Sequence, residues 1–309
     1  EEELDHDTRY DRADEYMEVV YKLWEHSWEE DAVRRDHAGD IFTDPAKVHD
    51  IQHRGTWFQV PGPHMCEPSP QRTPMIFQAG QSGRGTRFAG QHAEAIFSVH
   101  PTLQSCAKSA ASLRAAAVEA GRRPEDVRIC QGVTVVVAPT DAEAKLKFET
   151  CQRYSSPEGS LALLSGWAGV DISQISTEKP LEQFESNAIR GVLGYFKAAD
   201  PDRAWTVRDI GEYMSVGSIM PKIIGSPQTV ADALETWLEE GDIDGFNLVP
   251  ITQPSGFRDF VELVVPELQR RGRVRSQYES STLREHFFGA GQPRLPANHP
   301  AYRCRPARR

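Results

Sequence analysis

The chain has 309 residues, with 35 lysines and arginines against 45 aspartates and glutamates, and a formal net charge of −10. That balance argues against nucleic acid or an anionic membrane as the main partner, and no run approaches the roughly 18 to 20 apolar residues that span a bilayer. The five cysteines (Cys66, Cys106, Cys130, Cys151, Cys304) are odd in number and lack metal-type spacing, so they read as reduced thiols of a cytoplasmic protein.

The first predicted element is a helix. Tyr10, Ala13, Met17, Val20 and Trp24 recur at three- and four-residue intervals and form one inward-packing face. His6 lies one turn before Tyr10 on that face, so both rings can point at a single ligand near the helix start. A capped helix with a buried tyrosine and a solvated histidine fits the same pattern. Residues 31–74 hold few long apolar runs and many His, Pro and Gly; Thr56-Trp57-Phe58-Gln59-Val60 suggests a small hairpin. His49, His53 and His64 in this segment read as surface histidines rather than metal ligands.

Residues 75–79 form a short buried strand that ends in Gly80-Gln81-Ser82-Gly83, and a helix is predicted over 84–92. A glycine-bearing turn before a helix sets unpaired amides and the Ser82 hydroxyl at the positive end of a helix dipole, an arrangement that binds phosphate. An ordinary strand-to-helix turn, with glycines for geometry alone, has the same pattern.

Further strands are predicted at 94–99, 128–137 and 245–250, and helices at 106–120, 141–153, 227–240 and 257–271. Ser226-Pro227 caps and opens the helix that Gly241 closes. This alternation predicts an α/β class with a parallel sheet. Residues 154–225 are a second insertion, with a helix around Leu161–Trp167, a polar loop and a helix near 183–197; excursions of this length tend to form lids. Trp57, Phe58, Trp167, Tyr195 and Phe196 in the insertions are either pocket lining or core. Gln78 and Asn247, at strand ends, are either ligand contacts or structural amides. The Pro-, Arg- and Gly-rich tail 286–309 reads as an arm packed on the surface or on a partner subunit. The chain has no Gly-x-Ser-x-Gly elbow and no His-Glu-x-x-His helix.

Taken together, these motifs resemble a known family. His6-x-x-x-Tyr10 within Arg9-Tyr10-x-Arg12-Ala13-x-Glu15, followed by Gln78-Ala79-Gly80-x-Ser82, is similar to the two-component flavin monooxygenases of the bacterial-luciferase-like superfamily. The group is that of nitrilotriacetate monooxygenase component A, dibenzothiophene-sulfone monooxygenase and the pristinamycin synthase large subunit. The stretch from Val48 to Pro63, the run Asp242–Pro250, the run Val264–Gly272 and Tyr278-Glu279-x-x-Thr282-Leu283-Arg284-Glu285 extend the match nearly end to end.

The resemblance implies a TIM-type (β/α)8 barrel. The chain would supply its C-terminal part, since the opening helix corresponds to the one after the family's fourth strand. Residues 1–285 are then the barrel domain, with 31–74 and 154–225 as insertions and 286–309 as a C-terminal arm. The resemblance also implies reduced FMN as cofactor, a separate NAD(P)H-dependent flavin reductase, a small organic substrate and a homo-oligomer. His6 and Tyr10 match the family's ring pair near the flavin, and Ser82 matches its phosphate serine; Gly80 and Gly83 would let the backbone come close. No metal and no side-chain nucleophile are expected, because the cofactor carries the hard chemistry. A non-catalytic fragment, or a flavin-binding barrel without oxygenase activity, is the alternative.

Overall fold

Alternating strands and helices dominate the computed structural model, which describes residues 4–80, 82–169, 171–172 and 194–306. They group into two units: Glu1–Ile96 with Ser112–Arg128 and Gln277–Arg309, and Phe97–Ala111 with Ile129–Ser276.

In the first unit, helix α1 (His6–Tyr21) opens on Asp5, whose carboxylate accepts the Asp7 and Thr8 amides at 3.0 Å each. This satisfies two of the four donors that a helix start leaves without intrahelical partners. Met17, Val20 and Tyr21 on its inner face pack with Leu295 and Ala301 of the C-terminal segment, all buried. The 31–74 insertion folds as two antiparallel hairpins, where the sequence suggested one. These are β1 (Val33–Asp36) with β2 (Ile41–Thr43), and β3 (His53–Arg54) with β4 (Gln59–Val60). The Glu15 carboxylate fastens the second hairpin by accepting the Trp57 and Phe58 amides at 2.9 and 2.7 Å. His53 is not a surface residue: it is buried, with Nε2 3.2 Å from Glu15 and Nδ1 3.2 Å from Lys22.

Strand β5 (Phe77–Ala79), helix α2 (Gly83–His92) and strand β6 (Ala95–Ser98) follow in the predicted order, with β5 and β6 neighbours, but β5 is not buried: Phe77 and Ala79 are exposed. Two buried carboxylates fix the run leading into β5. Glu94 forms a bidentate pair with Arg284, at 2.6 and 2.9 Å, and also accepts the Ile76 amide. Arg284, from the helix Leu283–Phe288, further donates to the Thr73 and Pro293 carbonyls. Glu25 accepts the Thr73 hydroxyl at 2.5 Å and Arg305 Nε at 2.6 Å.

The second unit is built on β7 (Arg128–Val137). Its side chains are buried almost throughout, as expected for a parallel strand covered on both faces. It runs parallel to β8 (Lys222–Gly225), through Thr134↔Lys222 to Val137↔Gly225, and to β9 (Gly245–Leu248), through Cys130↔Gly245 to Val133↔Leu248. Val133, Val135, Val137 and Ile223 pack with Val230 and Leu234 of helix Pro227–Glu240 and with Val264 and Leu268.

Two further expectations change. Strand β8 lies inside the stretch assigned to the second insertion, because four residues between Pro221 and Ser226-Pro227 are too short to show periodicity. The predicted helix 257–271 is broken: Ser255–Asp259 passes through a π turn at Phe260–Val264 into Val265–Arg270, where Pro266 lacks the N–H that a continuous helix needs. The helix near 183–197 lies outside the described residues as far as 193. Helix Pro157–Ala168 is present, and Leu164, Phe196, Trp205, Ile210 and Met214 form a second cluster, so Phe196 is core rather than pocket lining.

His299, in the first unit, is fully buried. Its Nε2 donates to the His92 carbonyl at 3.0 Å and its Nδ1 accepts the Ala301 amide at 3.2 Å, the pattern of a neutral ring. Burial, with the Arg122 charge nearby, pushes its pKa from 6.5 to about 3. The unfolded chain therefore binds this proton first, so the contribution of His299 is complete above pH 6.5 and declines as pH falls from 6.5 toward 3. Urea unfolding of the wild type and of His299→Gln should show a shallower acid decline for the variant over that window. Parallel curves would show that His299 does not govern it.

Candidate functional site

The turn between β5 and α2 is closed by its own residues. Gly80 has φ +154°, a conformation that L side chains rarely adopt. Ser82 caps α2, its Oγ accepting the Gly85 amide at 3.0 Å, and its own proton remains available to a ligand. The amides of Gly83 and Arg84 face no intrahelical carbonyl, as at every helix start. A Cβ on Gly83 would meet nothing within 4 Å, so the helix start opens on free space. Gln81 lies outside the described residues.

Helix α1 brings the aromatic pair to this turn. His6 and Tyr10 meet edge to face with ring centroids 5.2 Å apart, and Tyr10 also packs on Phe88 of α2 at 5.5 Å. The Tyr10 hydroxyl would lie 3.0 Å from a Cβ on Gly80 and 2.7 Å from one on Gly85. Only glycine at 85 leaves room for it. His6 itself is exposed and hydrogen-bonds Asp7 at 2.8 Å. Tyr10, Gly80 and Ser82 are thus gathered around one helix start, with His6 on the outer side of Tyr10 and Gly83 facing outward.

Arg84, two residues past the capping serine, joins this cluster. Its guanidinium lies over the Tyr10 ring at 5.4 Å and pairs with Asp11 at 3.0 Å and with Asp14. Asp14 also binds His92 Nε2 at 2.9 Å, and His92 Nδ1 meets the buried Tyr21 hydroxyl at 3.1 Å. Burial alone would push the Asp14 pKa up, but the hydrogen bonds from His92 and Arg84 outweigh it and hold the carboxyl below its ordinary value. Asp14 therefore stays ionised and locks Arg84 over Tyr10. An aspartate one turn from the tyrosine on α1, with an arginine two residues after the capping serine, was the available sequence signal.

Gln78 is a structural amide. Its Nε2 donates to the Gly85 carbonyl at 3.1 Å, which fixes the amide orientation, since a flip would set oxygen against oxygen. Its Oε1 is then buried with no hydrogen-bond partner among the described residues. Asn247 donates to the Cys130 carbonyl at 3.4 Å, a structural contact. Trp57 and Trp167 remain partly exposed. Among the described residues no group of three His, Cys, Asp or Glu could hold a metal ion, and no helix is long and apolar enough to cross a membrane.

A parallel sheet with helices between its strands, and a capped, glycine-lined helix start beside an aromatic pair, place the chain among the α/β proteins. The luciferase-like monooxygenase model matches residues 1–244, and the chain belongs to that family. Dimethyl-sulfide monooxygenase of Hyphomicrobium sulfonivorans is 43% identical over 307 residues, 99% of this chain and 64% of that protein. The crystal structure of DmoA from Hyphomicrobium sulfonivorans superposes with a TM-score of 0.91 at 43% identity, over 99% of this chain and 65% of the other. Riboflavin lyase, solved with modified FMN and riboflavin, gives 0.86 at 36% identity, over 99% and 67%. The fold is accordingly that of the luciferase-like barrels, and the chain spans just under two thirds of the length of the curated relative it matches.

Ser82 has a structural role that can be measured without any ligand. Ser82→Ala should lower unfolding stability by about 1 kcal/mol through loss of the cap, and Ser82→Gly by only a few tenths. Equal losses in chemical denaturation would mean that the hydroxyl does not cap α2.

Proposed function

We propose that this chain holds the phosphate of FMN at the start of α2 and belongs to a flavin-dependent monooxygenase that oxidises a small organic substrate with reduced FMN and dioxygen. The observation that carries the reading is the convergence of the Ser82 hydroxyl, the Tyr10 hydroxyl and open first-turn amides on one helix start. A phosphate monoester fits these donors. The dipole of α2 favours its charge, Gly80 and Gly83 let the backbone approach, and Ser82 and Tyr10 can each donate one hydroxyl proton. The orphaned Gln78 Oε1 supplies an acceptor for a ligand hydroxyl or ring N–H. His6 and Tyr10 offer ring edges and faces against which a flavin can be oriented.

FMN, when bound, supplies the redox chemistry with dioxygen. The tasks left to the chain are to bind, to orient and to keep water out. The riboflavin lyase relative was solved with modified FMN, and the nitrilotriacetate enzyme that the motifs resemble is named component A. The first supports FMN as the cofactor and the second a cofactor reduced by another protein, for which an NAD(P)H-dependent flavin reductase is the expected partner. Substrates differ across relatives that share the scaffold, from dimethyl sulfide to long-chain alkanes by name, so no particular substrate is assigned.

Fluorescence-quenching titrations with FMN and with riboflavin test the phosphate assignment in the complete protein. Ser82→Gly, which preserves most of the cap, should weaken FMN binding by about 1 to 3 kcal/mol and leave riboflavin binding unchanged. Equal FMN affinity in the variant and the wild type would remove Ser82 from the site.

A further inference from the structure

The end of α2 away from the phosphate turn, about 15 Å along the helix axis, carries a second cationic feature. Arg122 is 4% exposed, and its guanidinium donates to the Gly90 and Ala93 carbonyls at 3.0 and 2.7 Å and to the Asp126 carbonyl at 2.8 Å. These bonds cap the last turn of α2, where a positive charge suits the helix dipole. All three partners are neutral. The Nε–H is buried with no hydrogen-bond partner among the described residues.

Arg122 lines a cavity of about 20 Å³, room for one water-sized species. Three more arginines share the lining, and each is matched by a carboxylate. Arg284 pairs with Glu94, Arg123 with Asp126 at 2.8 Å, and Arg294 with Glu30. The Asp126 oxygens are further occupied by the Arg123 amide and by Asn298 Nδ2 at 2.7 Å. Burial holds the Arg122 guanidinium below the ordinary arginine value, against the opposing pull of Asp126 and Glu94. The Arg123 side chain, 66% exposed, and the partly exposed Arg294 put the mouth at the surface. A buried charge that lacks a counter-ion is costly, and so is a buried N–H that lacks an acceptor. One species cancels both.

We infer that this cavity binds a small monovalent anion of halide type, held by Arg122 Nε–H as the counter-ion of the Arg122 guanidinium. Water would satisfy the N–H but leave the charge unmatched. The site is separate from the proposed cofactor site and does not depend on that assignment.

Bromide is the probe. In bromide-soaked crystals of the full chain, an anomalous peak should lie within hydrogen-bonding distance of Arg122 Nε. In solution, bromide replacing gluconate at constant ionic strength should raise the melting temperature with a saturable midpoint, against the general tendency of a weakly hydrated salt. Gln292→Glu places a carboxylate at an exposed position of the same lining, where the fold tolerates it, and should shift that midpoint upward by about fivefold or more. Arg122→Met should abolish the dependence if it folds. The unmodified chain and Gln292→Glu carry the test if it does not. A cavity that holds only water, or identical bromide midpoints in wild type and Gln292→Glu, would overturn the inference.

Discussion

The pairing of Arg284 with Glu94 is the contact on which the first unit depends. Both side chains are almost fully buried, and their two hydrogen bonds join residues 190 positions apart. Burying two charges costs several kcal/mol per ion unless each is fully hydrogen-bonded, and here both are. Arg284 spends its remaining donors on the Thr73 and Pro293 carbonyls, and Glu94 takes the Ile76 amide. One ion pair therefore ties the run into β5, the start of β6 and the C-terminal segment into one rigid assembly. Glu25 repeats the device one step upstream, between Thr73 and Arg305.

Geometry at the phosphate turn follows from that anchoring. β5 has only three residues, of which Phe77 and Ala79 are exposed, so it cannot position itself by burial. Its N-terminal approach is fixed by the two carboxylates, and its exit is fixed by the Ser82 cap and by Gln78 reaching back to Gly85. Helix α1 then delivers Tyr10, clamped by Arg84 and Asp14, to the one place where Gly80 and Gly85 leave room for its hydroxyl. Arg122 secures the other end of α2. The helix that would meet a phosphate is thus held at both ends.

The sequence made the local parts of this arrangement legible. His6 and Tyr10 are one turn apart on a helix with a clear apolar face, and Gly80-Gln81-Ser82-Gly83 sits between a strand and a helix, so the i, i+4 rule and capping chemistry suffice. The long strand at 128–137 was equally plain from its unbroken apolar run. Less was legible where meaning comes from a distant partner. Arg84 carries little local signal because Asp14, which holds it, lies seventy positions away. His53 looked exposed because Glu15 and Lys22 are on another element. Arg284 stood out only as part of a family motif, and nothing near it in the chain points to Glu94. Lys222–Gly225 is too short to carry a period at all.

A double-mutant cycle on Glu94 and Arg284, measured by equilibrium urea unfolding, tests this account most directly. Glu94→Gln and Arg284→Met should each cost about 3 to 5 kcal/mol, because each strands a buried partner. The double variant should cost little more than either one, giving a coupling of roughly 3 kcal/mol. Losses that add to within about 0.5 kcal/mol would show that the two side chains act independently and that the first unit is not organised around their contact.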